Sequence, residues 1–194
     1  ALNNVLYAGT GNNVLDGSGG TDTVSYAYAV IGTTGVSVSL AVSTTQATGG
    51  SASDTLTAIE NLTGSNYADT LTGNSGANIL NGGTGADTLT GGDGNDTLTG
   101  GAGADNFSVW SRYLDTSVDT ITDFTAGSGG DQLLIPKERL SNYHYDNAFA
   151  SGHVRLTQSG ADTLFEIDTD GPDGAATFQT VAILSNVTKG DLVA

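Results

Sequence analysis

Between Gly64 and Ser108 a large apolar residue returns at every ninth position, as Leu71, Leu80, Leu89, Leu98 and Phe107. Each is the middle of a three-residue run such as Thr-Leu-Thr. Side chains alternate faces along a strand, so each run predicts a very short strand that turns one residue inward. The residues between runs are mostly glycine, aspartate, asparagine and other small residues, which is turn chemistry. Glycine permits positive φ and lets carbonyls crowd a point where a Cβ would intrude. The segment divides into five contiguous blocks, GSNYADTLT, GNSGANILN, GGTGADTLT, GGDGNDTLT and GGAGADNFS, of which three match G-G-x-G-x-D-x-U-x at every fixed place. The sixth places hold Asp69, Asn78, Asp87, Asp96 and Asp105.

The register returns upstream as GGSASDTLT from Gly49, with Asp54 in sixth place, as GSGGTDTVS from Gly17, with Asp22 in sixth place, and in degenerate form as AGTGNNVLD from Ala8. Two blocks make one turn of a flattened solenoid, so each strand is expected beside the strand 18 residues away, and each loop above the loop two blocks on. Residues 26–48, with alternation in GVSVSL, and residues 58–63, AIENLT, break the nine-residue register and are read as wider rungs. After Phe107 the pattern changes to longer alternating stretches, HVRLT, ADTLFEID and TFQTVAIL, which predict antiparallel hairpins. The expected fold is all-β: a flattened solenoid of parallel strands over 1–108, followed by an antiparallel β-rich cap over 109–194.

Charge sharpens this picture. The 194 residues carry 21 acids against 5 lysines and arginines, a net charge of −16. Such a surface cannot release counterions from a phosphate backbone, so nucleic acid is excluded as partner. No apolar run approaches the roughly 20 residues of a membrane span. Eighteen of the acids are aspartate, and all five cations (Arg112, Lys137, Arg139, Arg155, Lys189) follow residue 111. Residues 1–111 therefore hold nine acids and no lysine or arginine, and that half repels itself unless cations join it. There is no cysteine to staple the fold. The chain does not begin with methionine, has no basic-then-apolar leader, and reads as a piece of a longer protein.

Aligned loops bring sixth-place side chains and backbone carbonyls together in a cage of oxygens alone, which suits calcium with its 6–8 oxygen ligands at about 2.3–2.6 Å. At these residues the sequence resembles the RTX, or repeats-in-toxin, proteins of bacteria, closely over 49–108 and loosely over 1–25. The resemblance implies that the solenoid over 1–108 is a parallel β-roll, a calcium-binding β-solenoid with calcium between loops, pairing Asp69 with Asp87, Asn78 with Asp96, and Asp87 with Asp105. It implies completing carbonyls from Gly64, Asn66, Gly73, Ser75, Gly82, Gly83, Thr84, Gly85, Gly92, Gly94, Gly101 and Gly103. Asp22 and Asp54 are candidates upstream. DTITDF and GSGGDQLLI resemble the segment that closes the roll in type I secreted proteins, which makes Asp119, Asp123 or Asp131 candidate ligands of the last turn. The block at Gly64 lacks its second and fourth glycines, and Asn78 offers a neutral oxygen.

Other chemistries fail on spacing. DTDGPDG has its glycine too early for an EF-hand and Gln179 where a bidentate glutamate is needed. His144 and His153 stand apart with no H-E-x-x-H, and no G-x-S-x-G elbow occurs. Ranked outward threonines, Thr70 and Thr72 with Thr88 and Thr90, are too few for ice binding. The expected function is a non-catalytic calcium-binding module that folds on extracellular calcium and supports export of a larger protein by a type I secretion machinery, placing it outside the cell or at its surface. One alternative is an adhesin or surface-layer module that contacts a glycan or protein, with YHYD at 143–146 as a candidate aromatic patch. Another is the non-catalytic tail of a secreted enzyme.

Overall fold

The computed structural model describes residues 1–29, 32–50, 52–109, 116–134, 154–168 and 177–192. In chain order the strands of the first half are β1 (Val5–Tyr7), β2 (Val14–Asp16), β3 (Thr23–Ser25), β4 (Ser37–Ser39), β5 (Gln46–Gly49), β6 (Ala52–Thr57), β7 (Asn61–Thr63) and β8 (Thr70–Thr72). They continue as β9 (Ile79–Thr84), β10 (Thr88–Thr90), β11 (Thr97–Ala102), β12 (Asn106–Ser108), β13 (Asp119–Ile121), β14 (Gln132–Leu133), β15 (Val154–Ser159), β16 (Asp162–Asp168) and β17 (Phe178–Leu184), with a single helical turn, α1 (Lys189–Leu192), at the end.

Successive rungs alternate between two faces. One sheet runs β1-β3-β7-β9-β11-β13 in parallel, and the facing sheet runs β14-β12-β10-β8-β4. The expected spacing of 18 is realised residue by residue: Leu71 pairs with Leu89 and Leu89 with Phe107 on one face, Leu80 with Leu98 on the other. These residues and Val24, Leu62 and Ile121 are fully buried. The core is thus a stack one side chain deep per strand, each contributing about 1.5–3 kcal/mol of burial. The outward positions flanking them form polar ranks, Thr70 beside Thr88 and Thr72 beside Thr90.

Two irregular stretches depart from expectation. Residues 26–48 do not form one wider rung. After β4 the chain returns as β5, which joins β4's end through the antiparallel bridge of Val36 with Gly49 and pairs antiparallel with β6, while β6 pairs parallel with β2. A hairpin is therefore spliced into the second face, and the fully buried Tyr26 and Ala29, with Val36 and Val38, fill the space beneath it. Residues 58–63 form a shortened rung rather than a wider one. The strand β7 sits directly between β3 and β9, and the loop before it has only Ala58, Ile59 and Glu60.

The sheets do not break at residue 108. β13 extends the first sheet from β11, β14 extends the second from β12, and β17 adds parallel to β13. The expected antiparallel hairpins follow, β15 with β16 and β16 with β17. Arg155 and Glu166 pair across that ribbon at 2.8 Å, and the Arg155 guanidinium lies 3.8 Å from the centroid of Phe178. YHYD at 143–146, His144, His153 and most of the DTDGPDG turn lie outside the described residues.

Candidate metal centre

Each sixth-place residue except Asp54, which lies within β6, immediately precedes its strand, so the stacking of strands stacks these side chains too. The result is two columns of carboxylates along the two edges of the roll. In the first, Asp69 Oδ1 accepts the N–H of Val36 at 2.6 Å, Asp87 Oδ1 that of Asp69 at 2.8 Å, Asp105 Oδ1 that of Asp87 at 2.9 Å, and Asp131 Oδ1 that of Asp105 at 2.8 Å. In the second, Asp22 Oδ1 accepts from Asn4 at 2.7 Å, Asp96 Oδ1 from Asn78 at 2.8 Å, and Asp119 Oδ1 from Asp96 at 2.9 Å. All of these acceptors except Asp131 are buried. The three sixth-place pairs expected from the sequence are each brought together, and Asp119 and Asp131 cap the columns.

One oxygen of each carboxylate is thus committed to the chain, and the second is the informative one. Oδ2 of Asp22, Asp87 and Asp105 is buried without a hydrogen-bond partner. A buried, unsatisfied carboxylate oxygen costs on the order of 1–3 kcal/mol or more, so it needs a counter-charge. The first glycine of each block, Gly82 for Asp87, Gly91 for Asp96 and Gly100 for Asp105, packs its Cα against that Oδ2 of its own block, in space a Cβ would fill. Second- and fourth-place glycines take positive φ, 105° at Gly83 and 138° at Gly85, 108° and 105° at Gly92 and Gly94, and 96° and 156° at Gly101 and Gly103. Their neighbours across the stack are carbonyls, Ser65 beside Gly83, Asn74 beside Gly92, Gly83 beside Gly101 and Gly85 beside Gly103.

Electrostatics follows the same geometry. Burial pushes the Asp87 carboxyl up to about 6, against the lowering by the Asp69 N–H, and the neighbouring charges of Asp69 and Asp105 add to the rise. Asp69 is raised chiefly by burial, and Asp105 by burial and then by Asp131 and Asp123. Like charges are being held together in the dry edge of the roll with no base among residues 1–111. Oxygen donors, negative charge and crowded carbonyls form a set that fits a hard divalent cation.

The remaining expected residues sort themselves by place in the loop. Asn66, Ser75 and Thr84, all third in their blocks, are exposed at the loop tips, whereas Gly64, Gly73 and Gly82 are buried. The two loops lacking the full glycine set close on themselves. Ser65 donates its N–H to Asp69 Oδ2 at 2.5 Å and its hydroxyl to Asp69 Oδ1 at 2.8 Å, and Asn74 donates its N–H to Asn78 Oδ1 at 2.8 Å. Asn78 also donates its Nδ2 to the Glu60 carbonyl at 2.7 Å, a bond no aspartate could make. Asp54 is held by an asparagine and a threonine hydroxyl. Its Oδ1 takes the N–H of Asn13, the sixth residue of the 8–16 block, at 2.8 Å, and its Oδ2 the Thr48 hydroxyl at 3.1 Å. Asp123 holds the N–H groups of Gly100 and Gly101 at 2.9 and 2.7 Å. Glu60, unmarked by the consensus, accepts the Asp22 N–H at 2.8 Å. Its signal was there to be counted: it stands 18 residues before Asn78, immediately ahead of a strand.

Fold and site together define a parallel β-roll whose stacked loops present oxygen donors of the kind that suits divalent cations. Comparison with known proteins narrows the class: residues 1–26, 57–89 and 82–108 match the RTX calcium-binding nonapeptide repeat, in four copies. The chain therefore carries an RTX calcium-binding repeat region, and such repeats bind Ca²⁺. Among solved structures it is similar to the solution structure of the AlgE6R3 subunit from the Azotobacter vinelandii mannuronan C5-epimerase, at 25% identity and a TM-score of 0.46, covering 69% of this chain and 77% of that one. None of the curated proteins matches it.

Proposed function

We propose that this region is a non-catalytic, calcium-operated folding module of a protein exported by a type I secretion machinery, with ions held by the pairs Asp69/Asp87, Asp87/Asp105 and Asn78/Asp96 and by the closing residues Asp119 and Asp131. The observation that carries the reading is the column of buried carboxylates whose second oxygens lack partners at Asp87 and Asp105. Calcium supplies the counter-charge for these oxygens and bridges loops 18 residues apart. The chain supplies the rest: hydrogen bonds that aim each carboxylate, glycines that admit it, and strands too short to hold the loops by themselves. In the low calcium of a cytosol the acids repel and the roll stays open for threading. In millimolar calcium outside, binding free energy becomes folding free energy.

The test is far-ultraviolet circular dichroism of the full chain in a chelator, in calcium and in magnesium, with calorimetric counting of ions. The expected result is a roll largely disordered in the chelator, cooperative gain of β structure near about 10⁻⁴–10⁻³ M calcium, and at least three ions bound. A fully folded spectrum in the chelator, or fewer than two ions at saturation, removes the switch. A second reading, contact with a cell-surface glycan, is favoured by one feature: the Tyr7 and Tyr28 rings lie 5.7 Å apart and are 61% and 79% exposed. Glycan-array binding that disappears in Tyr7→Ala and Tyr28→Ala would support it, and an array without signal would remove it.

A further inference from the structure

One sixth-place pair upstream of the first column is built differently from the rest. Asp54, fully buried, meets Asn13, sixth in the degenerate 8–16 block, where β6 lies beside β2. The Nδ2 of Asn13 is ringed by three oxygens. It donates to the carbonyls of Gly9 and Gly11, second and fourth in its own block, at 3.1 and 2.8 Å, and to Asp54 Oδ1 of the facing block at 2.9 Å. Loop carbonyls with a sixth-place carboxylate are the oxygens that the other blocks offer to a cation, and here a nitrogen stands among them. Carbonyl oxygens can only accept, so the amide must turn its NH₂, and not its oxygen, into the ring.

Both oxygens of Asp54 are occupied. Oδ1 also takes the Asn13 N–H at 2.8 Å, and Oδ2 takes the hydroxyl of the fully buried Thr48 at 3.1 Å. Asp22, Asp87 and Asp105, by contrast, each keep a buried Oδ2 without a hydrogen-bond partner. The hairpin makes the difference: Thr48 lies in β5, whose antiparallel pairing with β6 carries the hydroxyl to Asp54. Hydrogen bonds from neutral donors to an ionised carboxylate are among the stronger kind. Three of them hold Asp54 where the columns hold bare oxygens.

We propose, resting on the reading of the columns as cation binders, that the Asn13 amide takes the seat of a cation, so that the 8–16 and 49–57 blocks are joined without metal. The pair Asn13/Asp54 is then a closed divalent-cation site, which adds no ion to the roll and which a carboxylate at position 13 would open to calcium. Asp54, a ligand by its place in the repeat, is not one in this chain.

The experiment is calcium titration of the full chain by calorimetry, with ion counting by native mass spectrometry, for the wild type, Asp54→Asn, Asn13→Asp and Asp87→Asn. Asp54→Asn keeps an oxygen for the Asn13 donors and turns its new NH₂ toward the Thr48 hydroxyl, which can accept. The expected result is that Asp54→Asn retains every ion of the wild type with unchanged affinities, and that Asn13→Asp binds one ion more at saturating calcium. Loss of an ion in Asp54→Asn overturns the proposal, and so does a wild-type count in Asn13→Asp. Asp87→Asn separates this inference from the reading beneath it. If Asp87→Asn weakens binding while Asp54→Asn loses an ion, the columns stand and the amide seat is wrong. If Asp87→Asn binds as the wild type does, the column reading fails and this inference with it. Should Asp54→Asn not fold, the ion count of Asn13→Asp decides.

Discussion

Asp87 is the residue at which the ladder reading is most exposed to test, because it lies between Asp69 and Asp105 and belongs to both pairs. Two substitutions separate its roles. Asp87→Ala leaves the buried Asp69 N–H without its acceptor, at a cost of about 1–3 kcal/mol, and removes a carboxylate from two cages, at about 1.5–3 kcal/mol each. At about 1.4 kcal/mol per tenfold, the loss over the two sites is roughly 10²–10⁴ in combined calcium affinity. Asp87→Asn keeps an oxygen for the Asp69 N–H and loses only the charge, so it weakens calcium binding while leaving the ladder bond in place. Its effect on the metal-free chain has the opposite sign. Burial and its charged neighbours hold the Asp87 carboxyl at about 6, so the ionised group destabilises the metal-free roll near neutral pH by on the order of 2 kcal/mol after allowance for screening. The neutral asparagine relieves that. Calcium titration measures the first arm and the residual β content in a chelator, by circular dichroism, the second, with Asp16→Ala, an exposed residue outside the columns, as the reference. The reasoning is refuted if Asp87→Asn lowers the β content in the chelator, or if Asp87→Ala costs no more calcium affinity than Asp16→Ala.

Acidity should act on the metal-free roll in the same sense. The carboxyls of Asp69, Asp87 and Asp105 are all raised, so the folded roll retains protons that the unfolded chain releases from about pH 4 upward; metal-free stability falls as pH rises to about 6 and then levels. More β structure in a chelator at pH 5 than at pH 7.5 is the expected outcome, and less would contradict it, while calcium affinity should rise with pH over the same window as bound protons are displaced. Leu89→Ala, at the fully buried centre of the second sheet between Leu71 and Phe107, should cost about 2–5 kcal/mol in calcium-saturated protein; a shift in urea midpoint equivalent to less than about 1 kcal/mol would show that the leucine file does not hold the rungs.

Much of this molecule is legible in the chain because its contacts are periodic. A nine-residue repeat fixes which residue turns inward, and a turn of 18 fixes which strands and which sixth-place side chains meet, so Leu71–Leu89–Phe107 and Asp69–Asp87–Asp105 follow from counting. The charge imbalance, nine acids without one lysine or arginine over residues 1–111, points to a cation as the missing partner. What counting could not supply is whatever depends on how non-repeating segments dock. The return of β5 against β4 and β6 is decided by Tyr26 and the valines beneath the hairpin, because a segment without the period can satisfy its backbone in more than one direction. Asp54 looks like its fellows in the sequence, yet the structure places its carboxylate on Asn13 and on the Thr48 hydroxyl, because the sixth place of the 8–16 block beside it carries an amide. Glu60 shows the converse: a residue outside the consensus enters the column because stacking fixes where its backbone lies, and one methylene lets its carboxylate reach.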